Sequence, residues 1–205
     1  LAKTDRLDAK LIAEFAEKMK PAKRHRKTLS QERLTQLTQR RSDLVTCRAS
    51  EKCRLKQAHQ EQASVKRHID FLEAEIKMLD KQIAQIIDED TVLKKQACRL
   101  GAVKGVGKVL ISTLFSQLPE LGKLSTKEIA ALAGLAPFNC DSGLMRGKRR
   151  IIGGRKSVRD ALYNAASVAR QFDPEMKAFY DRLMGKGKVY KVAIVACARK
   201  LLTWL

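Results

Sequence analysis

The spacing of apolar residues between positions 34 and 86 is the clearest pattern in the chain. Apolar residues recur there at alternating steps of three and four, and the last seven positions, from Val65 to Ile86, are all apolar. Such a seam predicts an α-helix that buries a narrow stripe against another helix. The sixteen seam positions are Leu34, Leu37, Arg41, Leu44, Arg48, Glu51, Leu55, Ala58, Gln62, Val65, Ile69, Leu72, Ile76, Leu79, Ile83 and Ile86.

The polar members of this seam cluster in its first half and all precede Val65, and they leave the arrangement of the helix open. Glycine and proline are absent from 22 to 100, so no strong helix breaker marks a turn. Three structures fit the pattern: a long coiled-coil helix, a helical hairpin that turns near 58–67, or an amphipathic helix within one domain. We favour a coiled coil that joins copies of the chain as a homo-oligomer through 34–86, because the apolar stripe is narrow.

The segment 98–205 predicts a compact helical domain. All eleven glycines and three of the four prolines lie in 101–205, which indicates short elements joined by turns. Ser125 and Glu128 have the spacing of a helix-capping box. The glycine-rich stretch 137–154 predicts a loop or a short hairpin. Helices are expected over 108–118, from Ser125, and over 155–170, 174–183 and 189–205.

The N-terminal segment predicts a short amphipathic helix that begins at Thr4 and runs to about Met19. Asp8 falls within its apolar arc and Asp5 lies on the edge of that arc. Two carboxylates three residues apart on a helix can share a hard cation such as Mg²⁺. Taken alone, the spacing favours a simpler alternative, in which Asp5 stabilises the helix N-terminus and Asp8 forms an ion pair.

Composition points to a nucleic-acid partner. The formal net charge is +20, and a basic excess of this size is typical of proteins that bind a polyanion. Residues 98–205 hold 20 basic and 7 acidic residues, against 22 and 15 in 1–97, so the compact domain is the more basic part. Aromatic residues make up only 5% of the chain, which disfavours stacking on single-stranded bases as the main binding mode.

The remaining composition restricts the cellular setting. Five cysteines form no C-x-x-C pair and there are only three histidines, so we expect reduced thiols and no zinc site. The sequence has neither a membrane-length apolar run nor a charged-then-apolar leader. We therefore expect a cytoplasmic, nucleoid-associated protein without a membrane partner.

A glycine-rich turn at 100–108 is a candidate phosphate contact. Its residues Val-Lys-Gly-Val-Gly-Lys lie between two predicted helices, as in a helix-hairpin-helix. Glycines there would let backbone N–H groups approach a phosphate, and flanking lysines would add charge. The alternative is a turn that only packs. The candidate residues are Lys104, Gly105, Gly107 and Lys108.

A second candidate is the loop around Ser142, which is followed by a run of cations. A serine hydroxyl next to clustered cations could act as a nucleophile toward a phosphodiester. Taken alone, a surface Ser-Gly turn is the simpler interpretation, and Ser157 is the other hydroxyl near the cluster. The candidate nucleic-acid-binding residues of the cluster are Arg146, Lys148, Arg149, Arg150, Arg155 and Lys156.

An ordered set of short motifs gives these candidates a common context. The set is Thr4-Asp5-x-x-Asp8-Ala9, Val-Lys-Gly-Val-Gly (103–107), Leu-Pro-Glu-Leu-Gly (118–122), Ala-Gly-Leu-Ala-Pro (133–137), Asp-Ser-Gly (141–143), Gly-Gly-Arg (153–155) and Ala-Arg-Lys-Leu-Leu (198–202). Together they resemble the IS-one-ten family of insertion-sequence transposases, in particular its IS-eleven-eleven branch, which is related to the Piv-type DNA invertases. Each motif is weak, whereas their order along the whole chain is specific.

The resemblance implies a DEDD-type DNA recombinase. It implies the end of a RuvC-like catalytic domain over 1–21, a coiled-coil linker over 22–97, and a helical transposase domain over 98–205. Asp5 and Asp8 would be the last two carboxylates of a Mg²⁺-binding set. Ser142 would be the nucleophile that forms a covalent link to DNA. Serine and carboxylates would come from different protomers of a dimer or tetramer, guided by a bridge RNA.

The resemblance also predicts a departure from the family pattern. The first Asp and the Glu of the carboxylate set are expected upstream of Leu1, so the metal site of this chain would be incomplete. We therefore expect the truncated chain to be inactive alone. The alternative function is a non-catalytic fragment that binds nucleic acid and oligomerises.

Overall fold

The structure is a computed structural model, and it describes residues 5–20, 28–57, 60–139, 147 and 149–205. These residues are mainly α-helical, as predicted, with one two-stranded antiparallel sheet. The elements are α1 (Asp5–Met19), α2 (Leu29–Gln57), α3 (Gln62–Glu89), α4 (Thr91–Gly101), α5 (Lys108–Gln117), α6 (Thr126–Leu132), β1 (Pro137–Phe138), β2 (Arg150–Ile151), α7 (Lys156–Phe172), α8 (Pro174–Gly185) and α9 (Tyr190–Trp204).

The heptad seam is buried within the chain, in a helical hairpin formed by α2 and α3. The seam residues Leu72 and Ile76 of α3 pack with Leu44 of α2. Further along the hairpin, Leu34 packs with Ile83 and Ile86. In this chain α2 covers the apolar stripe of α3, and the expectation that 34–86 also joins copies of the chain stays a prediction. The hairpin alternative is correct.

The polar seam residues form ion pairs across this hairpin. Arg41 donates to Asp80 at 2.5 Å, and Arg48 lies 3.6 Å from Glu73. Lys52, which is next to the seam residue Glu51, also donates to Glu73, at 2.9 Å. The Lys52 hydrogen bond and charge lower the pKa of the Glu73 carboxyl below its ordinary value. Glu51, which is only 8% exposed, accepts from Arg54 at 2.7 Å. The polar half of the seam therefore pairs with opposite charge on α3 and on its own helix.

The helix α4 connects the helical hairpin to the compact domain. Asp90 caps α4 by accepting hydrogen bonds from the backbone N–H groups of Val92 and Leu93, as short polar side chains do at helix starts. Leu93 packs into the core of the helical hairpin, whereas Leu100, at the other end of α4, packs into the core of the compact domain. The boundary predicted at 97/98 thus falls inside a helix that belongs to both cores.

The core of the compact domain is centred on α7 and α9. Small residues at the contact, such as Ala166 and Ala198, allow these two helices to approach closely, and both are fully buried. Leu114 of α5, Leu162 of α7 and Leu201 of α9 are also completely buried. The Ser125–Glu128 capping box at the start of α6 is present, as predicted. Within the described part of the chain, no helix is long and apolar enough to cross a membrane.

Candidate nucleic-acid interface and serine loop

The turn between α4 and α5 depends on the absence of a side chain at Gly105. This glycine has φ +89°, a conformation that residues with a Cβ rarely adopt. A Cβ atom there would lie 2.7 Å from the carbonyl oxygen of Ala165 and 2.8 Å from the backbone nitrogen of Ala169. The neighbouring Val106 is buried in the core. Gly105 therefore lets the turn pack directly on α7.

The other glycine of this turn faces open space. A Cβ atom at Gly107 would meet no atom within 4 Å, and Gly107 begins α5 without a side-chain cap. The first N–H groups of a helix lack partners within that helix, so an uncapped, open helix start is accessible to an anion. Lys104 and Lys108 beside it are exposed. Neither lysine forms an ion pair within the described residues.

The described ends of the glycine-rich stretch 137–154 pair as two short antiparallel strands, as expected for the short hairpin that was one of the two predicted alternatives. Its strands β1 and β2 pair Pro137 with Ile151 and Phe138 with Arg150. The loop between them contains Ser142, Arg146 and Lys148, all of which lie outside the described residues. The structure thus defines the two strands from which the serine loop extends.

Close backbone packing holds the base of this β-hairpin. Gly134 and Gly154 have φ +71° and +73°, and their backbones approach so closely that a Cβ atom on Gly154 would clash with Gly134. Arg159 donates to the carbonyl oxygen of Gly153 at 2.8 Å, and the N–H of Arg155 donates to Leu132 at 2.9 Å. These contacts fix the β-hairpin to α6 and α7.

The Arg155 side chain is part of the same support. Its guanidinium donates to both carboxylate oxygens of Glu120, at 2.5 and 2.7 Å, and to the carbonyl oxygen of Gln117 at 2.7 Å. The hydrogen bond to Glu120 raises the pKa of Arg155 above its ordinary value. A guanidinium that forms a bidentate ion pair with a carboxylate is held in a fixed geometry, which is typical of a structural role. Arg155, which we predicted as a nucleic-acid ligand, lies at the base of the serine loop with its charge compensated.

The other predicted cations are more accessible. Arg149 and Arg150 are exposed at the start of β2, and neither forms an ion pair within the residues that the structure describes. The Lys156 ammonium group donates to Asp160 at 2.6 Å, with its side chain 79% exposed. Among the described cations of this run, from Arg149 to Lys156, the exposed and unpaired ones are therefore Arg149 and Arg150.

Asp5 and Asp8 lie one turn apart near the start of α1, and both are exposed. The apolar side chains of this helix are exposed as well, with Leu11 at 63% and Phe15 at 58%. Among the described residues no group of three or more potential ligands could hold a metal ion. The two aspartates suit a hard cation in chemistry and spacing.

Glu120, Gly134 and Arg159 also belong to this site, although the predictions from sequence did not include them. A signal was present, since Glu120 and Gly134 belong to two of the short motifs, Leu-Pro-Glu-Leu-Gly and Ala-Gly-Leu-Ala-Pro. The structure explains why these motifs accompany Gly-Gly-Arg. All three meet at the base of the serine loop.

Together these features define an α-helical protein with exposed, unpaired cations at the α4–α5 turn and at β2 among the described residues, the kind of charge that polyanions attract. A model of the IS116/IS110/IS902 transposase family matches residues 97–181, and a model of DEDD-type transposases of the IS110 kind matches 1–63. The chain belongs to this family, which is the IS-one-ten family indicated by the motifs.

Similarity to individual proteins supports this assignment. The chain is 33% identical over 212 residues to the pilin gene-inverting proteins of Moraxella bovis and Moraxella lacunata, an alignment that includes 98% of this chain. It spans 64% of the length of those two proteins. It is also 39% identical over 83 residues to an insertion element IS900 protein of Mycobacterium paratuberculosis, covering 40% of this chain and 21% of that protein.

Proposed function

We propose that the chain is part of a DNA transposase or site-specific recombinase of an insertion sequence, in which Ser142 attacks the scissile phosphodiester. The observation that supports this most is the anchored base of the loop that contains Ser142. Strand pairing, the Gly134–Gly154 contact and the Arg155–Glu120 pair all hold that base. A catalytic group is most effective when rigid elements support it.

The proposed reaction is an exchange of phosphodiester bonds. The Ser142 hydroxyl oxygen bonds to phosphorus as the bond from phosphorus to one deoxyribose oxygen breaks. The serine proton passes to the departing oxygen, and one DNA end stays on the serine as a phosphodiester. Arg149 and Arg150 would stabilise the charge that develops on the phosphoryl oxygens. Attack by the hydroxyl of another DNA strand reverses the step and joins two strands.

The family relationship supports a divalent-metal requirement, which we propose to be Mg²⁺. Asp5 and Asp8 would supply two carboxylate ligands. Bound Mg²⁺ would stabilise negative charge during phosphoryl transfer. Two carboxylates are fewer than the octahedral ligand set that Mg²⁺ prefers, so other groups have to complete the site.

The partners in this proposal are DNA, a guide RNA and further copies of the protein. The net charge of +20 and the two exposed lysines at the α4–α5 turn support phosphate contacts that are independent of sequence. A dimer or tetramer would bring the serine of one protomer to the carboxylates of another. Since the seam is buried within the helical hairpin, assembly has to use other surfaces while that hairpin is closed.

Serine variants of the protein expressed from its complete reading frame test the proposal. Ser142→Ala should abolish recombination and the covalent protein–DNA adduct while leaving DNA affinity unchanged. Ser157→Ala is the matched control, because Ser157 is an exposed hydroxyl in the first turn of α7 beside the same cations. Adduct formation by the Ser142 variant, or its loss in the Ser157 variant, would refute the assignment.

A further inference from the structure

The turn between α8 and α9 is a second place where glycines and exposed lysines occur together. Residues 185–191 have the sequence Gly-Lys-Gly-Lys-Val-Tyr-Lys, and Gly187 has φ +70°. Lys186, Lys188 and Lys191 are exposed, and none forms an ion pair with the described part of the chain. The sequence has no acidic residue after Asp181. This turn is therefore a locally uncompensated positive surface.

The α4–α5 turn and the first residue of α9, which follows the α8–α9 turn, both contact the C-terminal end of α7. The backbone of Gly105 is close enough to Ala169 that a Cβ atom would lie 2.8 Å from it. The following residue, Arg170, places its guanidinium 5.7 Å from the ring centre of Tyr190 at the start of α9. It also lies 4.9 Å from the ring centre of Tyr180. The same end of α7 thus contacts the α4–α5 turn and the two helices that flank the α8–α9 turn.

Arg170 adds to the same positive field. Its partners are the two tyrosine rings, and its buried Nε atom has no hydrogen-bond partner among the described residues. Aromatic rings attract a guanidinium without neutralising its charge. Arg170 therefore contacts the start of α9, and its charge is not neutralised by an acidic side chain among the described residues.

We propose that Lys186, Lys188 and Lys191 form a second phosphate-contacting surface, termed the α8–α9 basic surface. Together with Lys104 and Lys108, it binds the phosphodiester backbone of one nucleic acid. Ammonium groups on flexible stems act as point charges toward phosphate, so the contact is independent of base sequence. This inference rests on the proposed nucleic-acid-binding function and extends the interface beyond the residues that sequence motifs mark.

The test is the salt dependence of binding, measured by fluorescence anisotropy with a labelled DNA duplex and, separately, a labelled RNA hairpin. The test variant changes Lys186, Lys188 and Lys191 to Gln. The charge-matched control changes three exposed lysines of the helical hairpin to Gln: Lys66, Lys77 and Lys81. A third variant, Lys104→Gln with Lys108→Gln, reports on the α4–α5 turn. Far-ultraviolet circular dichroism checks that each variant is folded.

The α8–α9 variant should bind about ten-fold more weakly at low salt. Its slope of log affinity against log salt should fall by about 0.9 for each phosphate that the variant no longer neutralises, while the control keeps a slope close to that of the original chain. A change with the DNA duplex identifies DNA as the source of the phosphates, and a change with the RNA hairpin alone identifies RNA.

Two results separate failure of this inference from failure of the proposed function. If the α8–α9 variant behaves like the control while the Lys104 and Lys108 variant binds more weakly, only the α8–α9 basic surface is refuted. If the unaltered chain binds neither probe in a salt-dependent way, the nucleic-acid-binding function fails, and this inference fails with it.

Discussion

At Gly134 and Gly154 two segments of backbone pass so closely that neither position has room for a Cβ atom. Both glycines also have positive φ angles, of +71° and +73°. Gly122 shows that these two requirements are separate, because its φ is +78° and its surroundings are open. The glycines at the base of the serine loop therefore serve close packing as well as chain direction.

Gly154→Ala should lower the free energy of unfolding by about 2–4 kcal/mol, the sum of the cost of a positive φ and of overpacking. Gly122→Ala is the control and should cost only about 1 kcal/mol, since it faces the conformational cost alone. Urea unfolding of both variants measures the difference. Equal costs would show that the Gly134–Gly154 contact does not constrain the β-hairpin.

Also at the scale of single residues, the arginines near the serine loop have two different expected roles: Arg155 supports the loop, and Arg149 and Arg150 bind DNA. Arg155→Ala removes the hydrogen bonds to Glu120 and Gln117. It should reduce stability by about 1–2 kcal/mol, a value discounted because the pair is partly exposed. The double variant Arg149→Ala with Arg150→Ala should change stability by less than about 0.5 kcal/mol, yet weaken DNA binding and flatten its salt dependence.

Thermal unfolding and DNA titration of both variants give the comparison. A double variant that loses stability, or one that binds DNA with an unchanged salt slope, would contradict the binding role of Arg149 and Arg150. An Arg155 variant of unchanged stability would contradict the structural role of that residue.

Among the elements, the helical hairpin shows how one apolar pattern permits different assemblies. A heptad seam specifies that a helix packs against another helix, and it does not specify whether that partner belongs to the same chain. Here the partner is α2 of the same chain, and the ion pairs Arg41–Asp80 and Lys52–Glu73 add charge complementarity across the contact. The seam is therefore an internal core.

Leu72→Ala should lower stability by about 2–4 kcal/mol, as truncation of a buried leucine does, because Leu72 is only 3% exposed. Met78→Ala is the control on the same helix, since Met78 is 53% exposed and should cost less than about 0.5 kcal/mol. Urea unfolding measures both effects. A neutral Leu72 variant would contradict the buried hairpin seam.

Local signals along the chain allowed most elements to be predicted. The capping box at Ser125 and the proline at the start of α8 mark real helix starts. The separate helix α4 was missed, although Asp90 is a typical N-cap residue. The choice between one helix and a helical hairpin could not be made, because no glycine or proline separates α2 from α3.

The candidate site was less predictable, because distant contacts build it. The Arg155–Glu120 pair joins residues 35 positions apart, and although each residue belongs to a short motif, the sequence does not show that the two side chains pair. Arg155 accordingly looked like one more cation of a basic run. Exposure and pairing, which only the fold determines, separate the cations available to a ligand from those that support the loop.

For the whole molecule, positive charge and the proposed chemical groups are unevenly distributed. The compact domain has the anchored serine loop and the lysine-bearing turns, whereas Asp5 and Asp8 lie exposed on α1, before the helical hairpin. The 205-residue chain should therefore bind DNA and fail to cut it, because two carboxylates hold Mg²⁺ too weakly. Cleavage of a supercoiled donor plasmid by the purified chain in the presence of Mg²⁺ would contradict this expectation.

The most direct test of the central claim is to identify the residue that becomes linked to DNA. The protein expressed from its complete reading frame would be trapped during recombination on a donor substrate, digested, and analysed by mass spectrometry. The account predicts a nucleotide adduct on the peptide that contains Ser142, retained in the Ser157→Ala variant. An adduct on any other residue, or recombination that proceeds without a covalent intermediate, would contradict it.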